Sequence, residues 1–224
     1  MVLFAGLGNP GVRHAGNRHN IGYMAVERIA GDHGFGPWRT KFQGLVSEGR
    51  LGGRKVLLLK PETFMNLSGE AVGAAMRFYR LGPADLTVLH DELDLAPGKV
   101  RLKTGGGHAG HNGLRSIIAG IGPDFRRVRL GIGHPGHKDL VSRYVLHDFA
   151  KADQAWLEDV LQGLSAGAAD LATGDHGRFA NAVAKARAPA RRAPARPPEA
   201  APDKSAEAPA PPKSALQRLI DRFS

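Results

Sequence analysis

The stretch KVRLKTGGGHAGHNGLRSIIAGI, residues 99–121, decides how the rest of the chain is read. It opens on KVRLK, apolar residues alternating with basic ones, which predicts a strand over 99–103. It closes on Leu114, Ile117, Ile118 and Ile121, which share one face at helical spacing. Between these, Lys103 to Leu114 hold five glycines, two histidines, one lysine and one asparagine. Glycines let a backbone approach a ligand closely. A strand that runs through such a loop into a helix predicts an α/β sheet with a binding rim at its strand ends.

The same alternation extends in both directions. VLFAGL (2–7) is a short apolar strand, and Ile21, Met24, Ala25 and Ile29 form a helical stripe. LVSEGRLGGRKVLLL (45–59) reads as a hairpin turning at Gly52–Gly53. Val72, Ala75, Met76 and Tyr79 give a second stripe, LTVLH (86–90) a buried strand, and RVRLGIG (127–133) another strand. Leu157, Val160, Leu161, Leu164, Ala168 and Leu171 predict one long closing helix, with a last helix over 176–187. The expected fold is α/β: a single globular domain, residues 1–187, with a mixed, mostly parallel twisted sheet flanked by helices.

Composition changes sharply after residue 187. Residues 188–213 hold eight of the fifteen prolines and almost no large apolar residue, which predicts a disordered Pro/Ala/Arg-rich linker. Residues 214–224 form a short amphipathic segment with Leu216, Leu219, Ile220 and Phe223 in register, too short to hold a helix alone.

Of 224 residues none is cysteine, which excludes disulfides, catalytic thiols and Cys-based metal sites. Without a basic leader or a span-length apolar run, the chain is expected to be soluble and cytoplasmic, with no membrane partner. The formal net charge of +10 favours a polyanionic partner such as nucleic acid or an anionic lipid surface. Nine Lys/Arg against four Asp/Glu over 185–224 place half of that excess in the tail.

Two stretches fit G-x-G-x-x-G, GLGNPG (6–11) and GGGHAG (105–110). A dinucleotide fingerprint also needs a helix opening at the third glycine and an acid about 20 residues on. Pro10 and the polar run VRHAGNRHN deny this to the first copy, and the second has no such sequel. The Walker pattern is absent. His108 and His111 are three apart, as are His134 and His137, but without an H-E-x-x-H motif or an evident third ligand no metal is expected. There is no G-x-S-x-G elbow, and Ser68 in NLSGEAV reads as a helix N-cap. What remains is a set of Asn- and His-rich loops, GNPG (8–11), NRHNIG (17–22), ETFMNLSG (62–69), HDELDL (90–95), GGGHAGHNGL (105–114) and GIGHPG (131–136), predicted to converge on one rim.

In this order the motifs resemble bacterial peptidyl-tRNA hydrolases, from Val2 to about Arg187. The resemblance implies hydrolysis of the ester between peptide and tRNA by direct water attack, in a monomer, without cofactor or metal. It implies His19 as general base and Asp91 as its carboxylate partner. Asn9, Asn66 and Asn112 would place the peptidyl group and the water, Met65 would line the substrate channel, and His111 lies beside them. Lys103 and Arg129 would grip the terminal phosphate of the acceptor stem next to the CCA end. His14 occupies a substrate-binding slot that relatives fill with tyrosine, and Asn17 replaces their threonine.

The chemistry is sensible on its own terms. An imidazole is the side chain suited to take a proton from water near pH 7. A carboxylate on its other nitrogen fixes the tautomer, and carboxamides can donate to a developing oxyanion. The rival expectation is a catalytically inactive RNA-binding relative that uses the basic face as a scaffold.

Overall fold

The two strands whose sequences read as nearly unbroken apolar runs form the centre of the sheet. β1 (Val2–Gly6) and β5 (Leu86–Glu92) are buried along their whole length and run parallel, Leu3 opposite Leu86 and Gly6 opposite Leu89. A strand covered on both faces has no wet side, so it loses the alternation that marks an edge strand. The structure, a computed structural model, describes residues 1–187. The expected linker at 188–213 and the segment at 214–224 lie outside the described residues.

On one flank β4 (Arg54–Pro61) pairs parallel with β1, and β3 (Gly44–Leu51) returns antiparallel to β4. The hairpin turns at Gly52 and Gly53, φ 56° and 78°, the left-handed pair that a tight two-residue turn needs. β2 (Arg39–Lys41) then adds an edge strand that the sequence reading did not foresee. Its turn has the same left-handed pair, φ 55° and 54°, but on Phe42 and Gln43, so no glycine announces it. On the other flank β7 (Arg126–Gly131) runs parallel to β5, and β6 (Val100–Thr104) closes the sheet antiparallel to β7. The order is β2-β3-β4-β1-β5-β7-β6.

Two cores separate the helices into layers. α1 (Ile21–Asp32), α5 (Gln154–Ala166), α6 (Ala168–Thr173) and α7 (His176–Arg187) pack on the face carrying Phe4, Leu58 and Leu89. α2 (Ser68–Tyr79) and α3 (Asn112–Ile121) cover the face carrying Leu3, Ala5 and Leu57. Each such large apolar side chain, fully buried, contributes about 1.5–3 kcal/mol. α4 (Val141–Val145) is a short helix between β7 and α5.

The single closing helix expected through Leu171 is broken at Gly167 into α5 and α6. α7 crosses there so closely that a β-carbon on Gly167 would lie 2.9 Å from the Phe179 ring. A second close approach matters for the site. A β-carbon on Gly22 would lie 2.3 Å from the Leu89 carbonyl, so only glycine lets α1 begin directly against β5.

Candidate active site

The loops at the carboxyl ends of β1 and β5 surround a crevice of about 710 Å³, within the range of roughly 300–1,000 Å³ usual for small-molecule sites. Among its lining residues are Asn9, His19, Met65, Asp91, His111 and Asn112. Six of the ten residues singled out from the sequence are thus brought together.

His19 sits on a short helical turn, Arg18–Asn20, that leads into α1, and the Gly22 contact presses that turn onto β5. Its Nδ1 lies 2.8 Å from Asp91 Oδ1 near the end of β5. A carboxylate only accepts, so Nδ1–H donates and Nε2 keeps its lone pair.

His111 precedes α3 and acts as its N-cap. Its Nδ1 accepts from the backbone N–H groups of Gly113 (3.1 Å) and Leu114 (3.4 Å). The ring proton is therefore on Nε2, which donates to the same Asp91 Oδ1 at 3.0 Å. One carboxylate oxygen holds two imidazoles, whose ring centroids are 4.8 Å apart.

The electrostatics follow from this packing. Asp91 is only 4% exposed. Burial works against its ionisation, but the charges and hydrogen bonds of His19 and His111 more than offset that and hold its pKa well below the usual carboxylate range. For His19 burial likewise opposes the charged form, and the charge and hydrogen bond of Asp91 outweigh it, so the pKa lies above the ordinary value. His90, whose ring stands edge-on to His111 at 5.1 Å, donates from Nδ1 to the Asp91 carbonyl at 2.7 Å. Complete burial, then the proximity of His111, push its pKa down to about 3, so it adds no charge to the cluster.

His19, Asp91 and His111 bring potential ligand atoms within 4.8 Å of one another. The proton that the α3 cap fixes on His111 Nε2 leaves no lone pair there for a cation. The geometry favours proton handling over metal binding.

Asn9 is fixed from three sides. Its backbone N–H and C=O pair with the Asn20 carboxamide, both at 2.9 Å, and its Oδ1 accepts from Met65 N at 3.0 Å. Its Nδ2 has no partner among the described residues. Met65 packs against the start of α3, where a β-carbon on Gly113 would come within 2.7 Å of its sulfur. The Ser68 hydroxyl does not cap α2; it donates back to Met65 O at 2.8 Å and stiffens the turn that carries Met65. Asn112 opens α3 on the crevice wall.

The other four residues lie elsewhere. Asn66 is exposed on the Met65 turn and outside the lining. His14 is half-buried and hydrogen-bonds Asn17 at 2.9 Å, away from the crevice. Lys103 is exposed on β6 beside the glycine loop, and Arg129 on β7 forms an ion pair with Glu92 at 2.8 Å.

Two arginines escaped the sequence reading. Arg127, 2% exposed and without a carboxylate partner among the described residues, donates to the carbonyls of Gly106 and Gly107, each at 2.6 Å, and so shapes the glycine loop from beneath. Arg18 donates to Asp148 O at 2.8 Å, pairs with Asp153 at 3.1 Å and lies 4.5 Å from the centre of the Tyr144 ring. It ties the His19 turn to the segment around α4, whose Val141, Val145 and Leu146 line the crevice. Arg18 lay unremarked in the loop NRHNIG, and Arg127 in the strand RVRLGIG.

Comparison with known proteins bears on this geometry. Residues 3–191 match the family described as peptidyl-tRNA hydrolase. A protein named peptidyl-tRNA hydrolase from Cereibacter sphaeroides (strain ATCC 17025 / ATH 2.4.3) is 68% identical over 224 residues, covering all of both chains. Another from Ruegeria pomeroyi is 63% identical over 238 residues, again covering both chains fully. The crystal structure of peptidyl-tRNA hydrolase from Acinetobacter baumannii superposes with a TM-score of 0.77 at 42% identity, covering 82% of this chain and 94% of that one.

Proposed function

The chain belongs to the peptidyl-tRNA hydrolase family, and from that premise we propose how its crevice works. The protein is an ester hydrolase that acts on peptidyl-tRNA. Relatives matched over the whole chain give no support to the reading as an inactive RNA-binding scaffold.

His19 Nε2 takes a proton from a water molecule as the water oxygen bonds to the ester carbonyl carbon. Asp91 holds the ring in the required tautomer and stabilises the imidazolium that forms. The carbonyl becomes a tetrahedral oxyanion, to which the carboxamide nitrogens of Asn9 and Asn112 donate. When the intermediate collapses, the bond to the ribose oxygen breaks and that oxygen takes the proton back from His19. The products are a peptide with a free carboxylate and a tRNA with a free ribose hydroxyl. No enzyme-bound acyl group is needed. The observation that carries this reading is the 2.8 Å contact from His19 Nδ1 to a buried Asp91, which leaves Nε2 as an unprotonated base.

The acceptor stem and CCA end approach along the basic edge of Lys103 and Arg129, with Met65 on the wall of the channel. The protein acts as a monomer, since one chain supplies every group in this scheme, and in the cytoplasm, where its substrate arises. Among the described residues no helix is long and apolar enough to cross a membrane.

The test is hydrolysis of N-acetyl-aminoacyl-tRNA. Replacing His19 by alanine should lower kcat/KM by about 10²–10⁴. A variant within tenfold of the wild type would remove His19 from its assigned role.

A further inference from the structure

The catalytic crevice is not the only cavity to which Asn9 belongs. A second, of about 310 Å³, shares Asn9 and is lined also by Val12, Glu27, Leu45, Lys60 and Glu62. Nothing in the hydrolytic scheme uses it.

Its charged side chains do not cancel. The one lysine, only 8% exposed, is paired with Glu27 at 2.5 Å and lies over the rings of Trp38 and Tyr23, so its charge is internally compensated. Glu62 is exposed and has no ion pair or side-chain hydrogen bond among the described residues. Its field reaches inward: burial first, then the carboxylates of Glu62 and Glu27, push the Tyr23 hydroxyl upward from its ordinary pKa. One carboxylate is thus left over. In the catalytic crevice, Asp91, Glu92 and Asp94 stand among Arg115, Lys138 and several histidines. In a chain of formal charge +10 this second cavity is a poor host for phosphate and a good one for a cation.

The rest of its wall is apolar. Val12 is 92% exposed, and Leu45, Met24 and Pro10 extend the same surface. Asn9 joins the two cavities through a carboxamide whose nitrogen is still free to donate to a carbonyl. An apolar trough with a donor at one end and an unpaired carboxylate in its wall suits a short peptide with a terminal ammonium group.

We propose that this cavity is a subsite for the amino-terminal part of short peptidyl groups, with the free α-ammonium paired to Glu62 and the side chains lying over Val12 and Leu45. The two cavities then divide the substrate between them, the ester and tRNA end in the catalytic crevice and the amino-terminal part of the peptide in this one. The proposal rests on the hydrolase reading above.

The experiment compares two tripeptidyl-tRNAs that differ only in whether the amino terminus is free or acetylated, using the full chain and its Glu62→Gln and Val12→Lys variants. The readout is the ratio of KM for the free-amine substrate to KM for the acetylated one. Each variant should raise that ratio about two- to fivefold, the size expected of a solvent-exposed charge pair. Both positions are exposed, which keeps the fold out of the measurement. An unchanged ratio in both variants, with wild-type turnover of both substrates, would overturn the subsite alone. Turnover of neither substrate by the wild type would overturn the hydrolase reading, and the subsite with it.

Discussion

Asp91 and Arg129 stand one register step apart on neighbouring strands, yet their surroundings differ sharply. Asp91 is nearly inaccessible and accepts from two imidazoles through a single oxygen. Arg129 is half-buried with one carboxylate partner, and nearby Lys103 is exposed with no ion pair among the described residues. The contrast follows from the work each would do. Proton transfer depends on position, and an error of about 1 Å can lose about 10² in rate. Attraction of a phosphate acts over a screening length of about 8–10 Å and tolerates a mobile ammonium. The molecule surrounds with partners what must be exact in place, and leaves loose what needs only to be charged.

The largest expected effect tests the fixed half. Replacing Asp91 by asparagine should lower kcat/KM by roughly 10³, because the amide no longer enforces the tautomer that frees His19 Nε2. The pH profile should move as well. A general base works when neutral, so activity falls below its pKa. In the wild type Asp91 holds the His19 pKa above its ordinary value of about 6.5, and the acid limb should lie there. Without Asp91, burial acts unopposed and the limb should move to lower pH. An acid limb that stays in place would show that another group titrates. Stability carries the opposite sign for the partner: the depressed Asp91 pKa stabilises the fold above about pH 4 and loses that contribution as pH falls through the depressed value.

The next effect tests the boundary between the two halves. Arg127 belongs to the basic edge by sequence and to the fixed region by burial. Arg127→Met should leave the Gly106 and Gly107 carbonyls without a donor, loosen the loop that leads to His111 and Asn112, and lower kcat/KM by about 10- to 100-fold. Thermal stability should shift little, since removing a buried cation without an acidic partner relieves a desolvation penalty while the lost hydrogen bonds work the other way. Lysine should rescue only partly, because it offers a point charge in place of a planar fork. Full activity in the methionine variant would mean that the glycine loop holds its own shape.

That boundary is also where sequence reading stopped. β1 and β5 were legible because central parallel strands are continuous apolar runs. The hairpin at Gly52–Gly53 was legible because glycine marks its turn, whereas β2 was missed because Phe42 and Gln43 take the same backbone shape with no such mark. The break at Gly167 depends on α7 crossing there, which no local pattern records. Convergence of the loops could be argued from strand and helix order, but pairing His19 with Asp91, 72 positions later, came from family resemblance and not from spacing. Nothing in RRVR tells which arginine turns inward. Periodicity reports which face a residue occupies, while a satisfied buried charge depends on carbonyls far away in the chain.

The smallest effect tests the loose half. Lys103→Gln should leave kcat unchanged and raise KM for tRNA substrates about two- to fivefold at low salt, as expected for loss of one exposed charge contact. The dependence of log(kcat/KM) on log salt should become shallower by about 0.7–0.9, the contribution of one phosphate neutralised. The two enzymes should then converge as salt rises, because screening removes from the wild type what the substitution has removed from the variant. An effect of equal size at every salt concentration would mean that Lys103 acts by position, through its contact with the loop at Gly106, and the division between fixed and loose regions would have to be moved outward to include β6.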